Sequence, residues 1–176
     1  VDILDATGPG TRDYNMRVNA PPGRFSVDGA NLKARPRKLY QDHSFYPLVD
    51  FQTAGKADGG WQATWGSGRS RVQGTFLSPC SELITYRSPG WRSQFEITAE
   101  PEKYFDTIVM RDKGRSSRFI AVYEVCSGTP KVRAAACEDR DEAIVIDLDM
   151  GKGSSIEVVT PGAMENSSER DWAVKA

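Results

Sequence analysis

Nearly every apolar run in this 176-residue chain alternates with polar residues, and none sustains a helical period. The runs include YNMRVNA (14–20), GRFSVDG (23–29), FYPLVDFQTA (45–54), RVQGTFLS (71–78) and ELITYRS (82–88). DTIVMRD (106–112), SRFIAVYEV (117–125), KVRAAACED (131–139), EAIVIDLD (142–149) and SSIEVVTP (154–161) follow. Period-2 alternation places successive side chains on opposite faces of an extended strand, which suits a sheet with one buried face. Gly and Pro collect between the runs, where turns require them. The pattern predicts an all-β fold, a β-sandwich of short antiparallel strands joined by hairpins, with about nine or ten strands. Lys113-Gly114 reads as the turn of one hairpin over 106–125, and Met150-Gly151-Lys152-Gly153 as the turn of a second over 142–161. One short helix is expected near EPEKYF (100–105). The sandwich is expected to span residues 1–163, followed by a tail, 164–176, with little core-forming pattern beyond a docking role for Trp172.

The length suits one domain, or at most two small ones, and is enough for a real core, so neither a metal nor a disulfide staple is needed. A hydrophobic fraction of 39% and a charged fraction of 27% are those of a folded protein. A net charge of −1 lacks the bulk electrostatics of a nucleic-acid binder. No apolar run approaches the length of a membrane-spanning helix. The abrupt opening VDILDATG, without an initiator Met, reads as the start of a mature or dissected fragment. The three cysteines, Cys80, Cys126 and Cys137, form no CxxC or Cys/His pattern. A zinc site is therefore not expected, and three reduced thiols are preferred over a Cys126–Cys137 bridge.

Catalytic constellations are scarce. His43, in YQDHSFYPLVDF, is the one histidine, and no Gly-x-Ser-x-Gly elbow accompanies it. It reads as a structural hydrogen-bonding residue, with ligand contact as the alternative. Asp139/Asp141 and Asp147/Asp149 are same-face carboxylate pairs, of the kind that is usually solvated near turns. Gly151-Lys152-Gly153 lacks the spacing and the following helix of a phosphate loop.

The stretch DGGWQATWGSGRSRVQ (58–73) is more suggestive. Trp61, Ala63 and Trp65 share one face of an extended strand, and Arg69 and Arg71 repeat the spacing beyond a Gly-Ser-Gly break. Two readings are open. The rings are core, or they form a sugar-stacking platform beside two cations suited to carboxylates or sulfates. Trp61, Trp65, Arg69, Arg71 and His43 are the candidate substrate-binding residues. Lys33, Arg35 and Arg37 also alternate, as a solvated basic face or a second cationic strip, and Arg87 and Arg92 flank SPGW.

Several stretches together resemble the C-terminal β-region of heparinase II/III-type polysaccharide lyases, the group that includes oligoalginate lyases. They are Val1-Asp2-Ile3 with Gly8-Pro9-Gly10 and Asp13-Tyr14, then SELITYRSPGWR, then DTIVMRDKGRSSRFIAVYEV. The likeness covers roughly residues 1–125 and lies in order and texture more than in invariant motifs. In such lyases, as the resemblance implies, an α/α toroid supplies most catalytic residues, and acidic polysaccharides are cleaved by β-elimination. This chain has no helical pattern for a toroid and no match to the catalytic motifs. No catalytic residue and no cofactor are therefore assigned. The expected function is a non-catalytic domain, secreted or periplasmic, that contacts or frames the site for an acidic, uronate-containing polysaccharide next to a toroid in the same parent protein. A free-standing carbohydrate-binding module and a purely structural accessory domain are the alternatives.

Overall fold

The alternating runs become strands. The computed structural model describes residues 1–20, 24–34, 49–67, 70–88, 104–140, 143–161 and 173–175. Among them lie twelve strands: β1 (Asp2–Ala20), β2 (Phe25–Asp28), β3 (Lys33–Ala34), β4 (Val49–Ala54), β5 (Trp61–Ser67), β6 (Ser70–Phe76), β7 (Glu82–Ser88), β8 (Phe105–Cys126), β9 (Ala134–Arg140), β10 (Ala143–Gly151), β11 (Ser154–Pro161) and β12 (Ala173–Lys175). They form a large curled antiparallel sheet, ordered β2-β5-β6-β8-β7-β4-β3 with β1 also on β8, and a small sheet ordered β12-β11-β10-β9. The fold is all-β and sandwich-like, as the periodicity predicts.

One expected hairpin does not form. The runs at 106–112 and 117–125 do not fold back on each other about Lys113-Gly114; both belong to β8 and pair with β1. A two-residue hairpin turn needs left-handed residues at its centre. Here the left-handed glycine is Gly10, on the partner strand, at φ 73°. The ladder shifts register between Thr7 and Arg12, so the long β1–β8 ribbon turns a corner there instead of ending. Asp112 ties that corner together. Its carboxylate accepts hydrogen bonds from the hydroxyls of Ser81 and Ser117 and from the Lys113 N–H.

On the other flank of β8, β7 pairs with Phe105–Arg111 and β6 with Ala121–Cys126. Residues 77–81 cut across the corner between them. The Leu77 N–H donates to the Ile120 carbonyl at 2.8 Å, and the Ser81 N–H to that of Arg111 at 3.0 Å. The Ile120 N–H donates to the Ser78 hydroxyl at 2.9 Å.

The corner folds one arm of the sheet over the other, and the main core lies inside the curl. Met16, Leu83, Ile108 and Met110 of one arm face Trp61, Phe76, Phe119 and Ala121 of the other. The alternate residues of β8, Ile120 and Val122, point outward and pack with Ile144, Ile146, Leu148 and Val158 of the small sheet. SRFIAVYEV therefore reads as a nearly continuous apolar run because both of its faces are buried. Arg118 fastens the layers together through ion pairs to Asp5 of β1 and Asp139 of β9.

The second expected hairpin does form. β10 and β11 pair around Gly151-Lys152-Gly153, with φ of 75°, 55° and 77°. Three residues of the tail add β12 to the edge of β11, so the tail joins the sheet through its backbone. Trp172 lies outside the described residues, as does most of the stretch expected to be helical. Its last residue, Phe105, opens β8. All three cysteines are free thiols. Burial pushes the Cys80 thiol up to about 11 and raises that of Cys137 as well, which makes both poor nucleophiles.

Candidate functional site

The tryptophans of DGGWQATWGSGRSRVQ share a face, as the spacing predicts, but that face is the core. Trp61 is 1% exposed and Trp65 4%. Trp61 stacks on Phe76 with ring centroids 3.9 Å apart and planes 5° from parallel. Trp65 packs edge-on to Phe76 at 6.4 Å and against Phe25 at 5.8 Å. Gly74, the register partner of Ala63, leaves room for this stack: a Cβ there would meet the rings of Phe76, Trp65 and Tyr123 at 3.0–3.2 Å. The indole N–H groups of Trp61 and Trp65 are buried without a hydrogen-bond partner among the described residues. Neither ring offers a face to a ligand in this structure, so the platform reading of the two rings gives way to the core reading.

Arg71 does not stand beside them either. The β5–β6 register sets Trp65 opposite Val72 and Gly66 opposite Arg71, which puts Arg71 on the opposite face of the sheet. There its guanidinium donates to the Gly128 carbonyl and holds the segment after β8. The i, i+2 rule that links Arg69, Arg71 and the tryptophans holds only within one strand, and the turn between β5 and β6 breaks it. Arg69 and His43 lie outside the described residues, as do Arg35, Arg37, Arg92 and Asp141.

The structure instead gathers polar groups where β4, β7 and β8 meet the segment around β2. A cleft of about 530 Å³ is lined there by Phe25, Val27, Asn31, Leu32, Asp50, Gln52, Thr85, Arg87 and Asp106, among others. That volume is in the range that holds a small ligand. Arg87 lies opposite Val49 of β4 on one side and Asp106 of β8 on the other. The β4–β7 ladder shifts register between Val49 and Gln52, and Asp50 sits in that bulge with a left-handed φ of 52°. Non-glycine residues seldom adopt this conformation, and such residues concentrate at ligand sites. The bulge frees Asp50 from the ladder and lets its carboxylate accept from the Arg87 Nε at 2.7 Å.

The two carboxyl groups of the cleft differ. The Asp50 side chain is 63% exposed and ion-paired to Arg87. Asp106 is 4% exposed, and among the described residues no hydrogen bond reaches its carboxyl. Burial raises its pKa to about 6, against the pull of Arg87 and with a smaller push from Asp50. A second polar groove, of about 510 Å³, adjoins the first. It shares Ala30 and Asn31 with it and adds Lys33, Lys56 and Asp58. Lys33, expected on a basic strip, thus lines a groove. Lys56 and Asp58 pair at 3.3 Å on its exposed rim. Among the described residues, no cluster of three or more His, Cys, Asp or Glu side chains is arranged to hold a metal ion.

Sequence reasoning missed Asp50, Asp106 and Gln52, and took Arg87 only as a neighbour of SPGW. They come from three strands far apart in the chain, so no local spacing marks them. Searches against protein-family models and against curated proteins find no match for this chain.

Proposed function

We propose that this chain is a non-catalytic β-sandwich domain that contacts a carbohydrate in the cleft between β4, β7, β8 and the segment around β2. It is of the accessory kind that accompanies the toroid of heparinase II/III-type polysaccharide lyases. The observation that carries the reading is the composition of the cleft. Asn31, Gln52, Thr85, Arg87 and two carboxyl groups converge beside the apolar wall of Phe25, Val27 and Leu32. Planar polar side chains with fixed donors and acceptors match sugar hydroxyls, while an aromatic or aliphatic wall matches the C–H face of the ring. The uronate polymer is the substrate class implied by the sequence resemblance, and Lys33 in the adjoining groove supplies a cation for it.

Retardation gels and a glycan array carrying alginate, heparan sulfate, chondroitin, hyaluronan and neutral polymers test the proposal. Retention of at least one polymer, weakened by Gln52→Ala or Asn31→Ala with no change in melting temperature, is the expected result. Retention unaffected by either change puts the site elsewhere. No unsaturated product should accumulate on any uronate polymer, as followed by the ultraviolet absorbance of the alkene that β-elimination creates; sustained, protein-dependent growth of that signal rejects a non-catalytic role. A purely structural role is favoured by one observation, the full burial of Trp61 and Trp65. Failure of every glycan on the array to bind decides for it.

A further inference from the structure

We propose that the Asp106 carboxylate receives two adjacent hydroxyl groups of a sugar ring, so that the cleft recognises a vicinal diol. The inference rests on the carbohydrate reading above and names the group within that site which makes the contact. Asp106 and Ile108 point to the same face of β8, toward the inside of the curl, and Asp106 lines the cleft there. The residue is only 4% exposed, no hydrogen bond from a described residue reaches its carboxyl, and the carboxyl oxygens are not sealed away from solvent, so what remains open of them faces the cleft. Acceptor oxygens that face a cleft and take no hydrogen bond from a described residue are open to donors from water or from a ligand. The other carboxylate of the cleft is already engaged, since Asp50 accepts from Arg87.

An ionised carboxylate has two acceptor oxygens and no donor. Two hydroxyls on neighbouring ring carbons present two donors side by side, and they complement it. The apolar wall of Phe25, Val27 and Leu32 lies across the same cleft and suits the ring's C–H face.

The same geometry makes the contact depend on pH. Among the described residues, the charged groups facing Asp106 are Arg87 on β7 and Asp50 on β4. From β1 the register partner is Ala20, and the β2 side contributes Phe25, Val27, Leu32 and Asn31, none of them charged. With a pKa near 6, the free carboxyl is mostly ionised at neutral pH and gains a proton in mild acid. Hydroxyl donors bind the ionised form, so ligand and proton compete.

The experiment uses the whole chain with carbon-13 label at the aspartate carboxyls. Asp106 is assigned by Asp106→Asn and titrated alone and with mannan, xylan, alginate and chitosan oligosaccharides. Affinities are measured in parallel between about pH 5 and 7.5, the window around its pKa. The expected result is a lowered Asp106 titration in the presence of a hydroxyl-bearing oligosaccharide. Affinity should fall about tenfold per pH unit below 6 and level off above it. Asp106→Asn should bind at least about tenfold more weakly, lose the pH slope and keep a native circular dichroism spectrum. Four results overturn the inference: affinity that rises as pH falls, unchanged binding by Asp106→Asn, chitosan preferred more than about tenfold over every amine-free oligosaccharide (an ammonium site), or no change at Asp106 with any probe. If other resonances move while Asp106 does not, only this inference fails and the carbohydrate reading stands. If no resonance moves, both fail.

Discussion

The ring stack of β5–β6 and the cleft at the end of β4, β7 and β8 line the same curled sheet, yet they use their residues in opposite ways. In the stack, Trp61, Trp65 and Phe76 carry large, buried side chains, and the two indole N–H groups find no hydrogen-bond partner among the described residues. In the cleft, Asp50 holds a left-handed bulge and Asp106 keeps a carboxyl whose pKa burial pushes up to about 6. Aromatic residues at a suggestive spacing were drawn into packing, because sheet curvature closes over them. Polar residues with no local pattern were brought to one cleft by the pairing of β4, β7 and β8. Conspicuous side chains therefore mark the packed core, and quiet ones line the cleft.

The contrast is broken most forcefully at Trp61. Trp61→Ala should destabilise the fold by about 3–5 kcal/mol, as removal of a fully buried aromatic does. Urea unfolding measures this; a loss below about 1 kcal/mol means the ring is not core. Gly74→Val follows, since its side chain must displace the rings of Phe76, Trp65 and Tyr123. An overpacking cost of about 1–3 kcal/mol is expected, with reduced near-ultraviolet dichroism from disturbed rings.

The cleft should respond in the other direction. Asp106 holds its proton more tightly in the folded chain than at its ordinary value of 3.8, so stability declines as pH rises from about 4 to about 6 and then stays level. Asp106→Asn removes this penalty. The variant should be more stable than the wild type by about 2 kcal/mol at pH 7 and no more stable at pH 4. Asp13 has the opposite sign. The bond from Arg111 lowers its pKa, so its contribution is present at neutral pH and disappears as pH falls through the acid range below 3.8. Denaturant midpoints across pH for wild type, Asp106→Asn and Asp13→Asn separate the two slopes, and parallel profiles for all three contradict both assignments. The smallest effect is expected far from either region. Lys152→Gly, in the left-handed turn of β10–β11, should shift stability by less than about 1 kcal/mol, because relief of the side-chain penalty is offset by greater freedom of the unfolded chain. A larger melting shift would show that the Lys152 side chain takes part in packing.

Periodicity alone determined that this chain is all-β, which runs become strands, and where β10 and β11 turn. Each of these depends on residues adjacent in sequence: alternation selects a face, and a Gly-Lys-Gly turn supplies the left-handed backbone. The fate of Lys113-Gly114 was not legible. A short polar Gly-containing link is compatible with a hairpin or with a corner, and the presence of β1 as a common partner for both halves of β8 decided for the corner. The same holds for Trp61 and Trp65. Their shared face followed from spacing, but whether that face met water depended on the other arm of the sheet folding over it. Arg71 parted from them because register across a turn, not spacing along the chain, sets which face a residue takes. Asp50, Arg87 and Asp106 became neighbours only through the pairing of β4, β7 and β8. Local geometry is written in the order of residues, whereas burial and proximity are properties of the assembled sheet.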